Sequence, residues 1–182
     1  MLVNKRAEIV IDGTPEEIWN FVNNPTVWLA SNPEEHYSTE FFTPGGKVIQ
    51  GGSFCQQESV AGIDAVLRGH FLHVEPAKVA TWAGVATYRL LGGLLKLRVP
   101  QSGVVKLEKL EDGVRMSHDM FMDFPDTLFG KIVFWYFKKF LDGENALYQH
   151  GQKELIYFKT QIEKQKYTQK AKSGNRRTNL QN

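Results

Sequence analysis

The sequence predicts an α+β domain in which an antiparallel sheet of about seven strands is closed by a long C-terminal helical segment. Three observations predict it. Between Tyr37 and Phe121, apolar and polar residues alternate in runs separated by turns rich in Gly, Pro and Asp, the pattern of strands joined by tight connections. One strand and two short helices precede that region. After it, Pro125 to Glu163 places Phe129, Val133, Tyr136, Phe140, Leu147, Gly151, Leu155, Phe158 and Ile162 at gaps of three, four or seven, one face of a helix.

Lys131, Lys138, Asp142, Asn145, Gln149, Gln152 and Lys159 fall on the opposite side, so the segment is amphipathic. As one helix it would measure roughly 58 Å at about 1.5 Å per residue. A domain of this length is only about 40 Å across. Asp142-Gly143 is the expected break, because Gly in mid-helix costs about 1 kcal/mol relative to Ala. The main helix is therefore placed at Glu144 to Glu163, after a separate piece at Pro125 to Leu141. In that piece a second apolar row, Leu128, Ile132 and Trp135, calls for burial against something besides the sheet. The piece can be a lid, a surface for lipid or a partner, or the first turns of a kinked helix.

Taken from the start, Arg6 to Ile11 alternates as a strand, with Ala7, Ile9 and Ile11 on one face. Asp12-Gly13 turns the chain. Thr14 caps the next helix, Pro15 suits its first position and Glu17 completes a capping box. Ile18, Phe21 and Val22 form its buried face. Trp28 and Leu29 belong to a second short helix ended by Asn32-Pro33. Strands follow at Tyr37 to Phe42, Val48 to Val60, Ala65 to Val74, Val79 to Leu90, within Leu94 to Leu110, and Val114 to Phe121. Gly51-Gly52 marks a bend, and Glu111-Asp112-Gly113 a hairpin turn. Successive strands with short turns pair antiparallel.

The chain has 182 residues, 42% of them hydrophobic, enough for a single domain with a sizeable core. It holds no apolar run near the ~18 residues that cross a bilayer. Glu8 and Asp12 interrupt any signal-peptide centre, and a lone Cys55 forms no internal disulfide, so a cytoplasmic location is expected. Net charge is +2, unevenly spread: six Lys or Arg and no acid follow Glu163, which leaves the first 163 residues at −4. Residues 1–163 are read as the domain and 164–182 as a basic, disordered tail. An acidic domain argues against nucleic acid as a partner. The aromatic stretch 128–137 and the tail together could give transient membrane-surface contact.

The opening AEIVIDGTPEEIWNFVNNPTVW (Ala7 to Trp28), the turn at Glu75-Pro76-Ala77-Lys78 and the closing helix resemble the START-related helix-grip superfamily. That superfamily includes the birch pollen allergen-like and polyketide cyclase or dehydrase-like proteins. The resemblance covers about residues 5 to 163. It implies a curved sheet wrapped around the last helix and an internal apolar cavity for a hydrophobic small molecule, a lipid or a polyketide-like compound. It leaves chemistry open, because one fold hosts many functions.

No phosphate-binding loop, Cys/His metal spacing or nucleophile elbow is present, so neither metal nor cofactor is expected. Inward-facing polar residues are what remain. Val114, Met116, His118 and Met120 share a strand face, which makes His118 a polar group in an apolar wall. On the fourth strand Arg68 and His70 share a face that could point either way. Trp82 and Tyr88 lie on the fifth. Binding residues are expected at Arg68, Trp82, Met116, His118, Met120, Tyr136, Leu147 and Gly151. Histidine ordinarily titrates near neutral pH, so His118, or His70, is the candidate general base, with Tyr88 or Arg68 steadying an oxyanion. The expected function is binding of a hydrophobic small molecule. The alternative is a cofactor-independent cyclase, aromatase or dehydratase.

Overall fold

The computed structural model describes residues 1–178, with side chains to residue 168. Seven strands form one antiparallel sheet: β1 (Leu2–Ile11), β2 (His36–Phe42), β3 (Ser53–Val60), β4 (Ile63–Glu75), β5 (Val79–Leu90), β6 (Leu95–Leu110) and β7 (Gly113–Asp123). Their order is β1-β7-β6-β5-β4-β3-β2, so every strand from β2 to β7 neighbours its successor and β1 joins beside the last. The helices are α1 (Pro15–Val22), α2 (Pro25–Ser31), α3 (Leu128–Lys139) and α4 (Gly143–Thr178). This is the helix-grip architecture. α4 packs on β1 and β7 at one edge and still touches β3 near the other, so the sheet curls around it.

Local chemistry explains the entry. Thr14 Oγ1 accepts from the Glu17 amide, and the Glu17 carboxylate accepts from the Thr14 amide, the expected capping box. Asn24 caps α2 in turn, accepting from the Thr26 amide. The buried Ile18, Trp19 and Val22 of α1 face the inner layer, and Trp28 Nε1 donates to the Val22 carbonyl, which locks α2 against α1.

The helix breaks where expected. Asp142 takes a positive φ of 45° and Gly143 starts α4. Past the break, Leu147, Gly151, Leu155, Phe158 and Ile162 are buried, as their spacing predicted. Before it, the prediction fails. Phe129, Tyr136 and Phe140 are exposed, and so is the second row, with Leu128 at 78% and Ile132 and Trp135 at 55%. Because the backbone turns at Asp142, α3 no longer continues the buried face of α4. It seats only Gly130 and Phe137 fully, with Phe134 and Phe137 against Phe124. α4 also runs beyond Glu163 to Thr178, where a disordered tail was expected. Lys164, Gln165 and Lys166 are good helix formers, and Lys166 pairs with Asp12. The last part of that expected tail, 179–182, lies outside the described residues.

Candidate functional site

Between the sheet, α1, α2 and α4 lies a cavity of about 100 Å³. Its apolar wall comes from Trp19, Trp28, Phe41, Phe54, Phe71 and Trp82, with Phe41 edge-on to Phe71 and Phe54 edge-on to Trp82. Its polar wall is carried by His118 of β7, Glu58 of β3, and His150 and Glu154 of α4. The site is therefore amphipathic, with one greasy half and one half built from buried ionisable groups.

β7 pairs His118 with Ala7 on one side and Val105 on the other, and its parity points the imidazole inward. The ring's Nδ1 stands 3.0 Å from Glu154 Oε2. A carboxylate accepts, so Nδ1 carries the proton and Nε2 of the neutral ring offers a lone pair. That Nε2 is buried and has no hydrogen-bond partner among the described residues. Trp28 meets the imidazole edge-on at 5.9 Å and narrows the positions the ring can take.

His150 and Glu154 are one turn apart on α4 and so share its inward face. His36, the first residue of β2, reaches them from the opposite side, and its Nε2 is 3.2 Å from His150 Nε2. Glu154 Oε1 lies 3.4 Å from both of those nitrogens. Outer partners hold each ring: His36 Nδ1 is 2.7 Å from the Trp28 carbonyl, and His150 Nδ1 is 2.6 Å from Glu35 Oε2. Asn32 donates to the same Glu35 oxygen. His36, His150 and Glu154 are buried and could hold a metal ion, with their three ligand atoms within 4.8 Å of one another.

Burial opposes charge on Glu154, His150 and Glu35, and pairing outweighs it. Hydrogen bonds from His118 and His150 hold the Glu154 carboxyl well below the usual range. Hydrogen bonds to Glu154 and Glu35 hold His150 well above the ordinary imidazole value. Glu35, hydrogen-bonded to His150 and Lys153, is lowered to about 2.

Of the predicted residues, the structure brings Trp82, His118, Met120 and Leu147 to the cavity. Arg68 and His70 are exposed on the outer face, since inward Leu67, Gly69 and Phe71 fix the opposite parity for β4. Tyr136 is exposed because α3 turns away, and residues 128–140 take no part in the cavity wall. Gly151 is buried, but a methyl there would meet Met120 and Ala7, so it is a close-packing point between α4 and the sheet. Met116, expected to bind ligand, is buried in the core and is not part of the cavity lining. Tyr88 stands behind the wall, its hydroxyl accepting from Gln101 at 2.7 Å, and burial pushes its phenol up.

Reading the sequence missed His36, Glu58, His150 and Glu154. Only His150 and Glu154 left a local signal, their four-residue gap inside a helical period. His36 and Glu58 come together by strand register, opposite each other on β2 and β3.

Comparison with known proteins supports the fold. The ARO/CYC di-domain protein StfQ of the steffimycin biosynthetic pathway superposes with a TM-score of 0.60 at 12% identity, over 91% of this chain and 52% of that one. The chain thus spans about half the length of StfQ. Ara h 8.0201 gives 0.57 at 12% identity over 89% of this chain and 98% of its own, and an uncharacterized Rhizobium leguminosarum protein 0.59 at 10% over 90% and 96%. No protein-family model and no curated protein matches the sequence. The chain shares the helix-grip fold with these proteins.

Proposed function

We propose that the protein binds a small, largely apolar molecule that carries one hydrogen-bonding oxygen. The observation behind this reading is His118 Nε2, a buried acceptor with no partner among the described residues, facing a cavity otherwise walled by aromatic rings. A buried polar atom without a partner is costly, and a ligand hydroxyl would satisfy it. The aromatic wall would bury most of the ligand's surface, as such pockets do.

The test is binding of an anilinonaphthalene dye, together with native mass spectrometry of protein purified from its source. Micromolar dye binding that Leu147→Trp abolishes, with the circular dichroism spectrum kept, is the expected result. A folded protein that takes up neither dye nor any co-purifying molecule would refute the reading.

A second reading has its own observation. Glu154 fixes His118 in the tautomer that a general base needs, with Nε2 aimed at the space a ligand would fill. A cyclase-like or dehydrating proton abstraction from a polyketide-like substrate would use that arrangement, and StfQ bears the designation ARO/CYC on the same fold. Turnover of such a substrate that disappears in His118→Gln would favour it over carriage alone.

A further inference from the structure

We infer that His36, His150 and Glu154 form a binding site for one divalent first-row transition metal of the Zn²⁺ class, open toward the cavity.

The Trp28 carbonyl can only accept, so the nitrogen facing it, His36 Nδ1, bears the hydrogen. Glu35 Oε2 likewise accepts from His150 Nδ1. With Nε2 deprotonated, as ligation requires, both rings offer lone-pair sites that face each other at 3.2 Å, with Glu154 Oε1 at 3.4 Å from each. Three acceptors pointed at one another repel unless something positive stands among them. A proton on one ring satisfies a single edge of that triangle. A metal ion satisfies all three.

The dimensions favour the metal. Ligand atoms about 2.0–2.1 Å from a tetrahedral zinc stand about 3.4 Å from each other. The observed edges are 3.2, 3.4 and 3.4 Å. Two imidazoles and one carboxylate make a donor set typical of zinc sites that keep a position free for water or substrate. Every donor also has the outer hydrogen bond that orients metal ligands: the Trp28 carbonyl on His36, Glu35 on His150, and His118 on Glu154. Asn32 donates to Glu35 and secures that support.

The free position has a direction. His150 and Glu154 line the cavity, and Glu58 Oε2, 3.9 Å from His150 Nε2, is near enough to become a fourth ligand or to hold a bound water. An ion seated there would polarise a carbonyl, enol or phenol oxygen of a molecule held against the aromatic wall. The ligand class of the cavity narrows accordingly to apolar molecules bearing such an oxygen.

The experiment needs no ligand, so its failure is separable from failure of the proposed function. The full chain, stripped with chelator and dialysed against Zn²⁺ alone, is expected to retain one equivalent and to melt at a higher temperature. Co²⁺ should give visible absorption that Zn²⁺ displaces. His36→Gln and Glu154→Gln should each weaken Zn²⁺ binding by about 100-fold or more. Glu35→Gln, which leaves all three ligands in place, should weaken it by about 10- to 100-fold. A folded wild type without stoichiometric uptake at micromolar Zn²⁺ would overturn the proposal and leave a shared proton as the cation in the triangle. Unchanged uptake by the His36→Gln/His150→Gln double variant would overturn it equally, by placing the ion elsewhere.

Discussion

His118 and Glu154 meet across the cavity wall at 3.0 Å, a strand side chain and a helix side chain joined by one hydrogen bond between Nδ1 and Oε2. The contact fixes which nitrogen of His118 faces the cavity. His118→Gln should retain the fold and change affinity for an apolar, oxygen-bearing ligand by about 0.5–1.5 kcal/mol, one hydrogen bond's worth. If the same variant loses turnover by about 10²- to 10⁴-fold while binding holds, His118 is a general base. Isothermal titration and a pH–rate profile on a single substrate would separate the two outcomes.

Phe158 is the aromatic centre of the inner layer. It is fully buried and meets Trp28 at 5.0 Å and Phe21 at 6.4 Å, both edge-on. Phe158→Ala should cost about 3–5 kcal/mol of stability in a urea titration. Because Trp28 also abuts His118, dye affinity should fall in the same variant.

Gly84 lies opposite Gly69 in the β4–β5 register, where a methyl would overlap the Arg68 carbonyl and the Gly69 Cα. Neither neighbour is a flexible side-chain end, so the backbone would have to move. Gly84→Ala is expected to destabilise by about 1–3 kcal/mol with an unchanged denaturant slope. A neutral result would mean that the two strands separate at little cost.

Acidification should loosen the corner where α3, α4 and β1 meet. Glu144 bridges Lys138 and Lys5, and hydrogen bonds to those two ammonium groups, Lys138 first, lower its carboxyl to about 2. A folded-state value below the unfolded one means the contribution is complete above about pH 4.5 and disappears as pH falls toward about 2. Thermal melts across that interval should show a smaller decline for Glu144→Gln than for the wild type. Added salt should shrink the difference, since the group is partly exposed.

Much of this architecture was legible in the chain because its signals are local. The Thr14–Glu17 capping box, the alternation in β7 and the Asp142-Gly143 break each depend on a few neighbouring residues, and each appears as read. α3 was misread since a periodic apolar row reports amphipathicity without saying whether a partner covers it. Of the four residues in the cavity's polar wall, one was legible. His118 stood out as a polar residue on an apolar strand face. His36, by contrast, is 114 residues from His150 in sequence and meets it only through the curl of the sheet. No spacing rule reaches across such a gap.

The placement of β1 also governs how the chain can assemble. Its hydrogen-bonding neighbour is β7, with Ala7 opposite His118, and α4 then lies over both strands. Strands β2 to β7 can form in sequence as hairpins, each requiring only the one before. The first strand must wait, unpaired, for a partner more than a hundred residues downstream. Ring closure over such a distance is slow, so docking of β1 and α4 should be a late folding event. During synthesis the amino-terminal strand would therefore leave the ribosome long before its mate, at ordinary rates of about 5–20 residues per second, and spend several seconds with an open edge. The residues that complete the cavity's polar wall, His150 and Glu154, arrive with that same last helix, so a chain still waiting for it has the greasy wall but only the sheet's share, Glu58 and His118, of the acid-base one.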